Sequence, residues 1–157
     1  MPNNSALLEE IGSMLIQSDL FSHLPATELS AAAHYFGIDN IAQDETLYEE
    51  GDIGNFMCIV HSGNIAVTKA NQNGQQVETV TLGRGRTLGE MAVLDGETRS
   101  ATCKATEDTV LLTLSKEALD QMLEEHPRIG SNIIRTVAVS LSRRLHKAAG
   151  QLVGHLV

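Results

Sequence analysis

Basic residues are absent from the N-terminal part of this 157-residue chain and scarce in the rest of it. No lysine or arginine precedes Lys69, whereas ten acidic residues do, and the formal net charge is −9. Proteins that neutralise nucleic-acid phosphates usually present a basic face. The charge therefore argues against nucleic acid as a partner of this chain.

Long apolar runs are missing as well. The longest early run covers only residues 14–16, and no basic segment precedes it. Such a run is far shorter than the core of a signal peptide or a membrane-spanning helix. We therefore expect a cytoplasmic protein with no membrane partner.

Cysteine is also rare. Cys58 and Cys103 each lie in a strand-like run without CxxC spacing, and the six histidines show no H-x-x-x-H spacing. In a reducing compartment such cysteines are most often buried thiols. We expect no disulfide and no metal site.

Local signatures of catalysis and of cofactor binding are missing too. Ser100 has no G-x-S-x-G motif around it. The glycine-rich residues 83–89 have three residues between the second and third glycines, where a dinucleotide-binding loop has two. No Gly-Lys-Ser/Thr of a P-loop follows them. We therefore expect neither an enzyme nor a cofactor.

Hydrophobic periodicity predicts helices at both ends of the chain. Apolar residues at helical spacing indicate one helix after the cap-forming Asn4 and a second from Pro25 to Gly37. Towards the C-terminus, Ser115 is expected to cap a third helix and Pro127 to open a long final one. The chain length suits a single domain with one appended helix.

The middle of the chain, from about residue 38 to residue 114, has the pattern of an all-β segment. Short β-rich runs alternate there with turn residues such as Asn73-Gly74. The predicted strands are 46–48, 56–61, 65–69, 77–82, 100–105 and 109–114. This pattern predicts a small antiparallel barrel or sandwich.

One stretch, LGEMAVLDGETRSA at residues 88–101, combines groups that suit a ligand with both hydroxyls and a negative charge. A short helix over residues 88–94 would direct the N–H groups near Glu90, Met91 and Ala92 outward as a seat for an anion. The same stretch carries a carboxylate at one end and an arginine beside a hydroxyl at the other.

These end groups define the chemistry of that ligand. Arg99 would supply a bidentate charged donor and Ser100 a hydroxyl for a phosphate. Glu90 would accept a hydrogen bond from a ribose hydroxyl. A phosphate fused to a ribose that keeps its 2′-OH fits both ends, whereas the alternative is a surface ion pair between Arg99 and Glu90.

The stretch resembles the phosphate-binding cassette of the cyclic nucleotide-binding domain family, which reads roughly F-G-E-[hydrophobic]-A-L, a loop, then R-[ST or A]-A. This family includes the bacterial catabolite activator, kinase regulatory subunits and nucleotide-gated channels. The segment YEEGDIGNFMCIVHSGNIAVTK is similar to the family's G-D-x-G segment, with Gly51, Gly54 and Gly63 in place. The resemblance extends over residues 20 to 145, approximately.

The resemblance implies an α+β fold, an eight-stranded antiparallel jelly-roll-like β-barrel flanked by N-terminal helices and a long C-terminal helix. Residues 1–19 would be an N-terminal helical extension and residues 20–157 the cyclic nucleotide-binding domain. The ligand would be cAMP or cGMP, with Glu90 on the ribose 2′-OH and Arg99 and Ser100 on the phosphate. The ligand-binding residues are expected to be Leu88, Gly89, Glu90, Met91, Ala92, Arg99, Ser100 and Ala101.

Three positions depart from the family pattern. Leu88 replaces an aromatic residue, and Asn55 replaces an acidic one. The catabolite activator places a hydroxyl residue late in its long helix to contact adenine, and the matching residue here is Ala148, which offers no donor or acceptor. Ser100 could contact a syn guanine, so the choice between adenine and guanine stays open.

The predicted final helix carries an apolar stripe with heptad spacing. Its members are Ile134, Ala138, Leu141, Leu145, Ala148 and Leu152. Such a seam predicts a homodimer through this helix. The alternative is that the stripe packs on the domain's own strands.

The leading hypothesis is a stand-alone cyclic-nucleotide sensor that changes the pose or pairing of its long helix and acts on an unknown downstream protein. The chain stops at Val157, where transcription-regulating relatives continue into a helix-turn-helix, so we expect no DNA binding. The alternative is a structural or interaction module that does not respond to nucleotide. Intact Gly89, Glu90 and Arg99 favour the sensor, since a scaffold needs none of them.

Overall fold

The computed structural model describes residues 4–156, so residues 1–3 of the predicted extension and Val157 lie outside the description. Helices α1 (Asn4–Ile16) and α2 (Ala26–Ala32), and a 3-10 turn at Ala33–Tyr35, precede the strands. The remaining elements are β1 (Gly37–Ile41), β2 (Thr46–Tyr48), β3 (Phe56–Ser62), β4 (Ile65–Ala70), β5 (Gln76–Leu82), β6 (Thr87–Leu88), α3 (Glu90–Asp95), β7 (Thr102–Ala105), β8 (Thr109–Ser115), α4 (Lys116–Glu125) and α5 (Pro127–Leu156).

The eight strands form two four-stranded antiparallel sheets. Their orders are β1-β8-β3-β6 and β2-β7-β4-β5. The predicted jelly-roll of eight antiparallel strands flanked by helices is therefore confirmed. The sheets do not close into a barrel among the described residues, since each keeps two edge strands.

One apolar core lies between the two sheets. It contains Cys58 and Leu111 from the first sheet and Ile65, Cys103 and Ala105 from the second. Both cysteines are buried, as predicted. Burial raises the pKa of each thiol, so both stay uncharged in this core.

A second core joins the first sheet to the helices. Strands β3 and β8 are buried on both faces, because successive side chains point to opposite sides of a strand. Met57 and Leu112 therefore turn away from the first core and pack among Leu15 of α1, Met122 of α4 and Val137 of α5. Helix α1 thus shares a core with the rest of the domain, and the boundary after residue 19 stays a prediction.

The helix caps follow the sequence closely. Ser115 accepts a hydrogen bond from the Ala118 N–H at 2.9 Å and caps α4, and Pro127 opens α5 as predicted. The helix predicted to end at Gly37 is shorter, because a 3-10 turn follows α2 and Gly37 begins β1 instead.

The strand predictions are correct to within one residue for most runs, but β7 begins at Thr102 and not at Ser100. Strands β1 and β6 were not predicted, because neither has a β-rich run in the sequence. In β1 only Ile41 is buried, and β6 has two residues, so neither shows the alternation of a typical strand.

The apolar stripe of α5 divides into two parts. Ile134 and Leu141 pack against the helical core, whereas Leu145 is 71% and Leu152 61% exposed. The first half of the stripe therefore lies on the domain itself, and the second half does not.

Among residues 4–156, no helix is long and apolar enough to cross a bilayer.

Candidate functional site

Two glycines allow the start of α3 to approach the Arg99 side chain. Gly89 has a φ of 73°, a left-handed conformation, and a Cβ placed there would lie 2.5 Å from Nη1 of Arg99. A Cβ on Gly54 would lie 2.9 Å from that of Ala92 and 3.1 Å from Arg99 Nε. Position 89 therefore requires glycine for the guanidinium to occupy its place, and a side chain at Gly54 would crowd Ala92 and Arg99.

The Arg99 guanidinium is buried, with only 6% of the residue exposed. Its Cζ lies 3.9 Å from the centroid of the Tyr48 ring and 4.6 Å from that of Phe56. Nη2 donates to the Phe56 carbonyl at 2.7 Å and Nη1 to the Gly89 carbonyl at 3.4 Å. Within the described chain its Nε is a buried donor with no acceptor. A buried cation with a spare donor is suited to an anion.

Among residues 4–156, no carboxylate forms an ion pair with the Arg99 guanidinium. Burial raises the pKa of the Tyr48 phenol, which therefore stays neutral beside the guanidinium. Two backbone hydrogen bonds hold Arg99 in place. Its N–H donates to the Asp52 backbone carbonyl at 2.7 Å, and its own carbonyl accepts from the Gly51 N–H at 2.8 Å. The G-D segment around residue 51 thus positions the arginine.

Glu90 is also buried, at 3% exposed. Its Oε1 accepts from the Thr87 hydroxyl, and its Oε2 accepts from Nη2 of Arg144 at 2.9 Å. Glu90 and Arg99 form no ion pair with each other in the described chain, and neither lies at the surface. The alternative of a surface pair between them is therefore wrong.

Arg144 is a charged residue at this site that the sequence analysis missed, as it missed Thr87 beside Glu90 and Tyr48 and Phe56 around Arg99. It lies on α5, 54 residues from Glu90 in the chain, so no local motif connects the two. The one available signal was its position a helical turn before Ala148, the residue already assigned to the ligand-facing side of the long helix.

The other predicted residues divide by burial. Leu88 and Ala92 are buried, Met91 is 49% exposed, and Ser100 is exposed. The prediction that the Ala92 N–H is free for an anion is wrong, because this N–H donates to the Gly89 carbonyl at 3.1 Å. The physical reason is that α3 begins at Glu90, so Gly89 is its N-cap and accepts the first bond of the helix.

All eight predicted site residues line one cavity of about 490 Å³. Arg144, Lys147, Ala148 and Gln151 of α5 cover one side of it, and apolar strand residues such as Val80 line another. The volume lies within the range of small-molecule sites. A buried cation, a buried carboxylate and an apolar wall thus line one cavity.

A family profile described as the cyclic nucleotide-binding domain matches residues 38–126. The chain belongs to this family. The match contains both buried ionic residues of the cavity, whereas α5 follows it.

Individual members of the cyclic nucleotide-binding domain family support the assignment. The cyclic AMP receptor protein of Thermus thermophilus is 34% identical over 131 residues, which are 83% of this chain and 59% of that protein. A solved cyclic nucleotide-binding domain from Methylobacillus flagellatus matches with a TM-score of 0.80 at 27% identity, over 94% of this chain and 83% of that one. The solved catabolite activator protein of T. thermophilus has a TM-score of 0.78 and 32% identity, with coverages of 86% and 62%.

Proposed function

We propose that this domain is a regulatory sensor that binds cAMP or cGMP in the 490 Å³ cavity and transmits occupancy to α5. The observation that carries the proposal is the buried Arg99 guanidinium, whose Nε has no acceptor in the described chain, beside the buried carboxylate of Glu90. A cation and an acceptor held apart in one cavity match the two polar ends of a cyclic nucleotide.

In this proposal the cyclic phosphate binds Arg99 and Ser100. A phosphate oxygen would accept from the spare Nε–H, and the exposed Ser100 hydroxyl would donate to another oxygen. The ribose 2′-OH would donate to Glu90. Met91 and Ala101 would contribute to the walls of the site.

The base would lie between the apolar strand wall and α5. Ala148 presents no hydrogen-bonding group there, but Lys147 and Gln151 line the same side of the cavity. Gln151 by itself does not select between adenine and guanine, because an amide can both donate and accept. Lys147 does not select either, because its ammonium group can donate to the N7 acceptor that both bases carry. Both nucleotides are therefore candidate ligands.

Transmission to α5 would use the Glu90–Arg144 ion pair. The carboxylate that would receive the ribose hydroxyl already binds Arg144 of α5 at 2.9 Å. A ligand can shift an equilibrium only if it binds two poses with different affinity. Competition between the ribose 2′-OH and Arg144 for the Glu90 carboxylate would supply that difference in affinity.

The exposed half of the α5 stripe would pair with a second copy of this chain. Leu145 and Leu152 are each more than half exposed, and their spacing of one heptad suits a parallel helix pair. The sensor would act in the cytoplasm on a downstream protein, without enzymatic activity and without binding nucleic acid.

Isothermal titration calorimetry with cAMP and cGMP tests this proposal. We expect saturable binding of at least one nucleotide to the folded wild-type protein. An absence of heat with both, from protein shown by circular dichroism to be folded, would reject the sensor in favour of a structural module.

A further inference from the structure

A second, larger cavity lies on the other side of Arg144. Its volume is about 630 Å³, and its walls come from the segment between α1 and α2, the turn between β5 and β6, and α5. The Asp19 N–H donates to the Gly85 carbonyl at 3.2 Å, and Thr136 Oγ1 lies 3.4 Å from His23 Nε2. These contacts connect the three walls of a cavity that is open to solvent on one side.

The cavity gathers an unusual share of the positive charge of this chain. Arg86, Arg135, Arg143 and Arg144 all line it, out of 11 basic residues in a chain with 20 acidic ones. Arg144 pairs with Glu90, whereas the other three make no ion pair among residues 4–156. Asp19 is the carboxylate in the lining of the cavity, so its walls have an excess of positive charge.

Several guanidinium groups around one cavity favour an anion. Arginine binds phosphate through two parallel hydrogen bonds, so several arginines can each bind a different phosphate group of one ligand. The hydroxyl of Ser140 also lines the cavity and can donate to a phosphate oxygen. The volume lies within the range of small-molecule pockets.

We propose that this second cavity is a binding site for a small molecule with adjacent phosphate groups, distinct from the Arg99 site for the cyclic nucleotide, although Arg86, Thr87 and Arg144 line both cavities. The exposed side chains of Arg86 from the turn, and of Arg135 and Arg143 from α5, would bind its charges. This site does not use Arg99, so the two anion sites are distinguishable by mutation.

Calorimetric titration of the full chain with tripolyphosphate, at constant ionic strength and without cyclic nucleotide, tests the proposal. We expect one saturable site, with affinity lowered about tenfold or more by Arg135→Gln and by Arg143→Gln. Arg128→Gln is the matched control, because it removes the same charge from the same helix at a side chain that is 90% exposed. That control and Arg99→Gln should both keep the wild-type affinity.

Four outcomes would overturn the proposal. The first is no saturable binding by the folded wild-type protein, and the second is an equal loss of affinity in Arg128→Gln and Arg135→Gln, which would indicate a net-charge effect. The third is a loss in Arg99→Gln alone, which would place the phosphates in the other cavity. Equal affinity for citrate would overturn the assignment to phosphate groups.

Hydrogen exchange gives a second measurement that does not depend on the variants. Tripolyphosphate should slow exchange in residues 135–144 and 85–87, which form two of the walls. Slowing confined to residues 89–101 would contradict the proposal. None of these titrations contains a cyclic nucleotide, so their failure would leave the proposed sensor function untouched.

Discussion

Replacing Arg144 with glutamine tests how the cavity is coupled to α5. The change removes the charged partner of Glu90 Oε2 but leaves the hydrogen bond from the Thr87 hydroxyl to Oε1. The Glu90 side chain is 3% exposed and that of Arg144 51% exposed. The pair is therefore intermediate between a surface ion pair and a fully buried one.

The expected loss of stability follows from that intermediate burial. An exposed pair contributes up to about 1 kcal/mol, and a hydrogen bond to a buried charge about 1.5–3 kcal/mol. We expect Arg144→Gln to lower the free energy of unfolding by about 1–2 kcal/mol. For a domain of this size that corresponds to a fall in Tm of roughly 3–6 °C.

Hydrogen exchange with and without cyclic nucleotide measures the coupling itself. In the wild type we expect the ligand to change protection both in residues 89–100 and in residues 135–147. In Arg144→Gln the change in residues 89–100 should persist, and the change in residues 135–147 should become smaller. Arg128→Gln should respond to the ligand as the wild type does. An undiminished response of α5 in Arg144→Gln would refute transmission through this ion pair.

Four further predictions concern the site and the helix. Arg99→Gln should lower nucleotide affinity by at least about tenfold in calorimetry, since a charged hydrogen bond is lost; unchanged affinity in the folded variant would remove Arg99 from the site. A 2′-deoxy nucleotide should bind the wild type about tenfold or more weakly, and Glu90→Gln should narrow that difference; equal ribo and deoxy affinities would contradict the role of Glu90. Gly89→Ala should lower nucleotide affinity in calorimetry at a temperature at which the variant is folded, because its Cβ would meet Arg99 Nη1 at 2.5 Å; wild-type affinity would show that the arginine position is not critical. Leu145→Glu should give a folded monomer by light scattering, since this side chain is 71% exposed in one chain; a monomeric wild type would reject the dimer.

The cassette was predictable because its chemistry is local. Residues 88–101 carry the carboxylate, the arginine and the positive-φ glycine within one stretch, and all eight assigned residues line the same cavity. Strands β3 and β8 were predictable for a related reason. Their long apolar runs reflect burial on both faces, which the sequence displays directly.

The remaining features depend on contacts between distant parts of the chain. Strand β1 is polar, and its place in the sheet comes from its pairing with β8, which no local pattern reports. The division of the α5 stripe likewise depends on where the helix leaves the domain. Ile134 and Leu141 contact the core, while Leu145 on the same stripe does not.

The separation of Glu90 from Arg99 is the feature that local reasoning was least able to supply. Adjacent opposite charges in a loop would ordinarily pair with each other, and such a pair would leave little charge for a ligand. The fold prevents this by giving each group other partners. Arg99 lies between Tyr48 and Phe56 and donates to backbone carbonyls, and Glu90 accepts from Arg144 of α5. Because Arg144 of α5 pairs with the Glu90 carboxylate, that carboxylate does not occupy the donors of Arg99, and the spare Nε–H of the arginine is left for an anion.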